Sequence, residues 1–177
     1  MKYLIYFFTV VLLFSLNVGV FSYFPIRGAL PNLLLIFIVV IALLKEELPE
    51  IYFVAFLSGL FLDFSTGVFF GSFTLAFLLL SFLFSLVLER ILSFEVNWKY
   101  VIAFLVVALF FVNACIFSYN WAAYHIGWAQ FDIEIKVIRD QFLPAVFYNL
   151  LLLYPVYVVA SKLRDFFASQ QRKSFGR

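Results

Sequence analysis

Long uncharged runs of apolar residues are the feature that most constrains how this chain can fold. The runs occupy residues 3–26, 28–44, 51–62, 64–88, 100–124 and 141–161. A membrane-spanning helix needs about 20 mainly apolar residues, and four of the runs reach that length. Charged residues make up only 12% of the chain, whereas about a quarter of an ordinary soluble domain is charged. The sequence therefore predicts an integral membrane protein.

The runs predict one transmembrane domain over residues 1–177, an all-α bundle of six transmembrane helices. The expected helices lie at about 3–23, 30–44, 49–64, 68–88, 100–120 and 142–162, with an external loop at 121–141 and a cytoplasmic basic tail at 163–177. Pro31 and Pro49 suit the first turns of the two shorter helices, where the missing N–H is not needed. Short helices predict either local thinning of the bilayer or burial among neighbours. A re-entrant hairpin, with fewer spans, is the alternative.

The distribution of basic residues favours six spans with both termini in the cytoplasm. That topology places nine of the twelve Lys and Arg residues inside and three, Arg27, Lys136 and Arg139, outside, as the positive-inside rule requires. The first run is too long for a secretory signal and has no alanine before Ala29 to form a cleavage site, so we expect a retained helix. Aromatic residues near the expected interfaces suit anchoring belts; they are Trp98, Tyr119, Trp121, Tyr124 and Trp128.

The expected external loop contains a segment with two competing periodicities. Apolar and polar residues alternate over 131–137, which is typical of a half-buried strand. The same stretch places Phe131, Ile135, Ile138 and Phe142 at helical spacing, which indicates an amphipathic helix at the membrane interface. We favour the interfacial helix because a lone strand would have no partner within the chain. Pairing with a strand of another protein is the alternative.

Small residues and one acid mark the junction between the third and fourth helices. Ala55, Gly59, Asp63, Gly67 and Gly71 recur at intervals of four, so on a helix they share a face that another backbone can approach closely. The stretch 65–67 predicts a tight turn and hence a helical hairpin. An intramembrane acid is a candidate functional residue, but at a junction its carboxylate can cap the next helix. Capping is the favoured role, with contact to a partner or ligand next and a proton relay last.

Prolines and single asparagines complete the candidate packing residues. Pro144 fits the first turn of the sixth helix, and Pro155 is expected to kink it. Asn17, Asn113 and Asn149 each stand alone in an apolar run, and such amides more often hold helices together than bind substrates.

Catalytic, cofactor and metal sites find no support in the sequence. Cys115 and His125 are the single cysteine and the single histidine, too few for a Cys/His metal site. No nucleophile elbow, phosphate-binding glycine loop or paired intramembrane acids occur. The net charge of +2 does not indicate nucleic acid. We expect a protein that is not an enzyme and has no cofactor.

Three segments together resemble the MreD family of rod shape-determining membrane proteins. They are Gly28-Ala-Leu-Pro31-Asn32 at the start of the second helix, Gly59-Leu-Phe-Leu-Asp63 followed by Gly67 and Gly71, and Pro144-Ala-Val-Phe-Tyr-Asn149 in the last helix. The resemblance covers most of the chain in order and spacing.

The resemblance implies a non-enzymatic scaffold of the bacterial cell-elongation machinery, located in the inner membrane. MreD-like proteins associate with the membrane-anchored protein MreC, and through it with MreB and the wall-elongation transpeptidase and glycosyltransferase. Their fold is similar to that of the substrate-binding subunits of energy-coupling-factor vitamin transporters, which supplies the alternative function. Such subunits usually carry Ala-x-x-x-Ala in the first helix, and residues 1–28 contain no alanine, so the scaffold is favoured.

Overall fold

The protein forms an all-helical bundle in the computed structural model, which describes the backbone at residues 2–44, 46–91, 98–128 and 135–175. Side chains are described for these residues except 88–91, 135–139 and 171–175. The helices are α1 (Lys2–Gly19), α2 (Leu33–Leu43), α3 (Leu48–Thr66), α4 (Ser72–Ile91), α5 (Trp98–His125) and α6 (Ile135–Phe175), with a short 3-10 turn at Phe21–Tyr23. The predicted all-α class is confirmed.

Within the residues whose side chains are described, four segments are long and apolar enough to cross a membrane. They are Lys2–Tyr23, Leu48–Thr66, Trp98–His125 and Asp140–Gln170. The apolar helix Leu33–Leu43 is shorter, and the 20-residue α4 is apolar over the part whose side chains are described, Ser72–Val87. These lengths and compositions are those of a membrane protein.

Helix α2 forms the centre of the bundle. All of its 11 residues are buried, and it contacts each of the other five helices. A helix that is apolar on every side must be enclosed by protein or lipid. Its length of about 16 Å is roughly half the apolar thickness of a bilayer. Of the two explanations for a short helix, burial among neighbours is therefore the one observed.

Helix α3 begins as its sequence predicts. Pro49 lies in its first turn, where a missing N–H costs no hydrogen bond. Helix α2 instead begins two residues after Pro31, because the side chain of Asn32 caps it by accepting a hydrogen bond from Leu35 N at 3.0 Å. Proline therefore precedes this cap instead of occupying the first turn.

Helix α6 is longer at both ends than the predicted 142–162. It begins at Ile135 and continues to Phe175, with Pro144 and Pro155 both inside it. Pro144 therefore does not lie in the first turn, which corrects the expectation. Transmembrane helices tolerate internal proline because neighbouring groups satisfy the freed carbonyls. The two ends expected as external loop and basic tail are thus partly helical.

The segment with competing periodicities is only partly described. Residues 135–137 belong to α6, while 131–134 lie outside the described residues. The described part is therefore the first turn of α6 and not a strand. Helix α5 likewise extends into the expected loop, ending at His125 instead of about 120.

Candidate functional site

The carboxylate of Asp63 joins α3 to the start of α4. One oxygen accepts hydrogen bonds from Phe73 N at 2.8 Å, and the other accepts from Thr74 N at 3.1 Å and from the Thr74 hydroxyl at 2.6 Å. Asp63 is buried, and its negative charge lies at the positive end of the α4 dipole. The prediction that Asp63 caps the fourth helix is confirmed, with the cap supplied from across the hairpin.

Gly59 allows the two helices of the hairpin to come into backbone contact. A Cβ atom at this position would lie 2.3 Å from Thr74 Cα. Two non-bonded carbon atoms cannot come this close, so one of the helices would have to shift. Ala55, one turn earlier, is fully buried. The small-residue pattern therefore serves packing within the bundle at Gly59. Helix α3 ends at Thr66, and its C-cap Gly67 has a φ of 69°, the left-handed conformation that favours glycine.

Asn120 on α5 holds the loop between α3 and α4, and sequence reasoning missed it. Its side-chain oxygen accepts a hydrogen bond from Phe69 N at 3.0 Å, and its amide nitrogen donates to the Ser72 hydroxyl at 2.9 Å and to Ile116 O at 2.8 Å. Asn120 is buried. The available signal was an amide inside a 28-residue apolar helix, but nothing local to residue 120 indicates the loop at 67–71 as its partner. Gly71, the last residue of that loop, approaches Tyr119.

Three asparagines from three helices converge on the start of α2. Asn149 Oδ1 accepts a hydrogen bond from Asn32 N at 2.9 Å, and Asn17 Oδ1 accepts from Leu33 N at 3.0 Å. Asn32 in turn caps Leu35 N. The first N–H groups of a helix have no partner within it, so α1 and α6 supply the acceptors that this buried end requires. The expected packing role of Asn17 and Asn149 is confirmed.

The connection from α1 to α2 folds over α6 at the same end. Arg27 and Gly28, with φ of 51° and 80°, form the tight turn between the paired residues Ile26 and Ala29. The hydroxyl of Tyr148 donates a hydrogen bond to Phe24 O at 3.0 Å. These contacts fix the connection above the asparagines.

A cavity of about 350 Å³ lies beside these asparagines and is partly open to the surface. Its wall includes Pro31 and the side chains of Asn17, Asn32, Asn113 and Asn149. The rest of the wall is mainly apolar, and no residue that lines it is charged. The sequence candidates Pro31, Asn32 and Asn149 are thus brought together. Gly59 and Asp63 lie instead at the hairpin junction, and Pro144 is not part of the wall.

A charged cluster at the opposite end of the bundle is a second feature that sequence reasoning missed. Lys2 Nζ lies 2.6 Å from Glu50 Oε1 and 3.6 Å from Glu46 Oε2. The Glu50 side chain is only 4% exposed, and within the described residues its second oxygen has no hydrogen-bond partner. Lys2 also lies over the ring of Phe167, 5.5 Å from its centroid. The cluster therefore ties α1, α3 and the far part of α6 together.

The described part of the chain offers few groups for metal binding or thiol chemistry. No group of three or more His, Cys, Asp or Glu side chains there is placed to hold a metal ion. Cys115 is half-buried on α5, and His125 Nδ1 lies 2.9 Å from Trp121 O within its own helix.

Comparison of the chain with protein-family models, with curated proteins and with solved structures finds no match.

Proposed function

We propose that the chain is a non-enzymatic scaffold of the bacterial cell-elongation machinery, an MreD-like protein that partners MreC. In this proposal it crosses the inner membrane six times with both termini in the cytoplasm. The six spans are then α1 to α6, of which the 11-residue α2 is short and is surrounded by the other five helices. The asparagine end of the bundle then faces outward, and the end with Lys2 and Glu50 faces the cytoplasm.

The observation that carries the proposal is where the MreD-like segments lie. The first and last of them meet through the hydrogen bond between Asn32 N and Asn149 Oδ1. The middle one forms the hairpin junction, where Asp63 bonds the backbone of Phe73 and Thr74. Residues that carry the resemblance are therefore packing residues, as expected of a family defined by its bundle. This supports a structural role in the bundle for the residues that carry the resemblance.

The exposed side chains at the end of α5 indicate which part of this protein contacts the partner. At the end of α5 and just beyond it, Trp121, Tyr124, Ile126 and Trp128 are exposed. Large exposed apolar side chains at one end of a bundle suit contact with the membrane interface or with another protein. We assign this region to the extracytoplasmic part of MreC, which would cover side chains that this chain leaves open.

A mild-detergent pull-down of the tagged protein from its native host tests the proposal. Recovery of MreC, identified by mass spectrometry, is the expected result, with MreB and the wall-elongation transpeptidase and glycosyltransferase as indirect partners. Recovery of a transporter's ATPases and coupling subunit in its place would overturn the scaffold and establish the alternative, a vitamin transporter subunit.

Photo-crosslinking tests the contact region separately. A photoreactive phenylalanine analogue at Trp128, which is 68% exposed, is expected to crosslink MreC. The same analogue at Tyr23, which is 79% exposed at the same end of the bundle, is the matched control. Equal crosslinking from both positions would refute the assigned surface while leaving the pull-down result intact.

A further inference from the structure

The cavity lined by Asn17, Asn32, Asn113 and Asn149 is called here the outer cavity, because the proposed topology places it at the outward end. It contains hydrogen-bonding groups that the packing of the bundle does not use. Asn17 and Asn32 each accept a backbone N–H through Oδ1, so the other atom of each amide must be the nitrogen, a donor. Within the described part of the chain, neither nitrogen has a hydrogen-bond acceptor among the observed contacts. Asn17 is only 8% exposed, and it lines the cavity.

Asn113 contributes the opposite kind of group from the α5 side of the cavity. Its amide nitrogen donates to Leu109 O at 2.8 Å, which leaves its side-chain oxygen as an acceptor. Asn149 is more fully engaged, because its oxygen accepts from Asn32 N and its nitrogen donates one N–H to Ala145 O, which leaves one N–H donor. Asn17 and Asn32 therefore offer N–H donors and Asn113 an oxygen acceptor, and the polar residues Thr66 and Gln141 also line the cavity.

The electrostatics of the wall select against ions. No charged residue lines the cavity, and an ion taken from water into such a site loses hydration that uncharged amides do not replace. The start of α2 would ordinarily attract an anion, but its Asn32, Leu33 and Leu35 N–H groups already have side-chain acceptors. An anion would find these donors occupied.

The volume and the apolar part of the wall indicate the size and shape of the occupant. A cavity of about 350 Å³ falls at the lower end of the range of small-molecule sites, about 300–1,000 Å³. A cavity of roughly 150 Å³ already holds benzene. Phe73, Phe142 and Leu109 are among the apolar side chains that line it, so a flat ring fits beside the amides.

From these groups we propose that the outer cavity binds a small uncharged molecule with a ring and an amide-like pair of hydrogen-bonding groups. The carbonyl of the ligand accepts from Asn17 and Asn32, and its N–H donates to Asn113. This site goes beyond the scaffold role.

Benzamide and benzoate form a matched pair of probes, since they have the same shape and differ in charge. Binding to the purified full-length protein in detergent is measured by saturation-transfer NMR with titration. We expect benzamide to bind, and benzoate to bind at least tenfold more weakly. No binding of benzamide, or stronger binding of benzoate, would overturn the proposal.

Two variants test whether benzamide binds in the cavity. Asn113→Leu removes the acceptor, and Ala145→Leu fills the space from α6; each is expected to weaken benzamide binding at least tenfold. Two variants are used so that gel filtration can select one that remains monodisperse. Ser118→Leu, an exposed position on α5 outside this cavity, is the control and should bind as the wild type does. Unchanged binding by a well-folded cavity variant would refute the site.

Discussion

Replacing Asp63 by alanine removes the acceptor that joins the two helices of the hairpin. The carboxylate accepts three hydrogen bonds, from Phe73 N, Thr74 N and the Thr74 hydroxyl. Two backbone N–H groups in the first turn of α4 would lose their partner at a buried site. Each such orphaned group costs about 1–3 kcal/mol, and loss of a helix cap alone costs about 1 kcal/mol. We expect Asp63→Ala to lower the free energy of unfolding by about 3 kcal/mol.

Asparagine separates the geometry of the cap from its charge. Asp63→Asn keeps one oxygen that can accept from a backbone N–H, but it replaces the second oxygen with a donor facing Thr74 N. We expect this variant to lose about 2 kcal/mol, since the bond from Thr74 N to a charged acceptor, which contributes about 1.5–3 kcal/mol, is lost. Thr74→Val removes only the hydroxyl bond and should be the mildest of the three changes, because both backbone N–H groups keep the carboxylate as their acceptor.

Unfolding of the purified protein in mixed micelles, titrated with a denaturing detergent, measures these differences. Because Asp63 and Thr74 share a bond, the double variant Asp63→Ala/Thr74→Val should be less destabilised than the sum of its parts. An Asp63→Ala protein as stable as the wild type would refute the capping argument. If Asp63→Asn abolishes the proposed function at normal expression and stability, the charge itself has a role beyond capping.

Three further predictions use positions where the structure gives a clear contrast. Gly59→Ala forces a Cβ atom to within 2.3 Å of the α4 backbone and should destabilise by about 1–3 kcal/mol, whereas Gly19→Ala meets nothing within 4 Å and should be neutral or slightly stabilising in thermal unfolding. Lys2→Met leaves the buried carboxylate of Glu50 without its 2.6 Å partner and should cost about 3 kcal/mol; adding Glu50→Gln should restore much of the loss, and a double variant no more stable than Lys2→Met would contradict the ion pair. Asn120→Leu removes the acceptor of a loop amide, so hydrogen exchange at that amide should accelerate, and unchanged protection would show that another group holds the loop.

The elements of the fold were predictable because their causes are local. Each apolar run produced a helix, and Pro49 marked the start of α3 as its missing N–H requires. Asp63 was predictable as a cap because a single acid at a turn between two apolar runs has few other partners. The ends of α6 were not predictable in this way. Past residue 162, Phe167 contacts Tyr6 of α1, with ring centroids 5.3 Å apart. Residues 161 positions apart in the chain leave no local pattern.

The candidate site was predictable only in its members and not in its arrangement. The sequence predicted that Asn17 and Asn149 hold helices together, and both are hydrogen-bonded as expected. That they meet at one helix end depends on how α1, α2 and α6 pack. Asn120 escaped notice because its partners lie 48 and 51 residues earlier in the chain.

Helix α1 holds the central helix at both of its ends, and this bears on how the two proposals fit together. Near one end Asn17 bonds the first turn of α2, and at the other Lys2 pairs with Glu46, three residues after α2 ends. These two contacts are 15 residues apart on α1, or about 22 Å, so a shift of α2 along α1 would strain a polar contact at either side. We therefore expect the donors that face the cavity to keep their positions whether it is filled or empty. Occupancy should accordingly add stability without rearranging the helices, and a contact surface at the end of α5 should be equally available to a partner in either state.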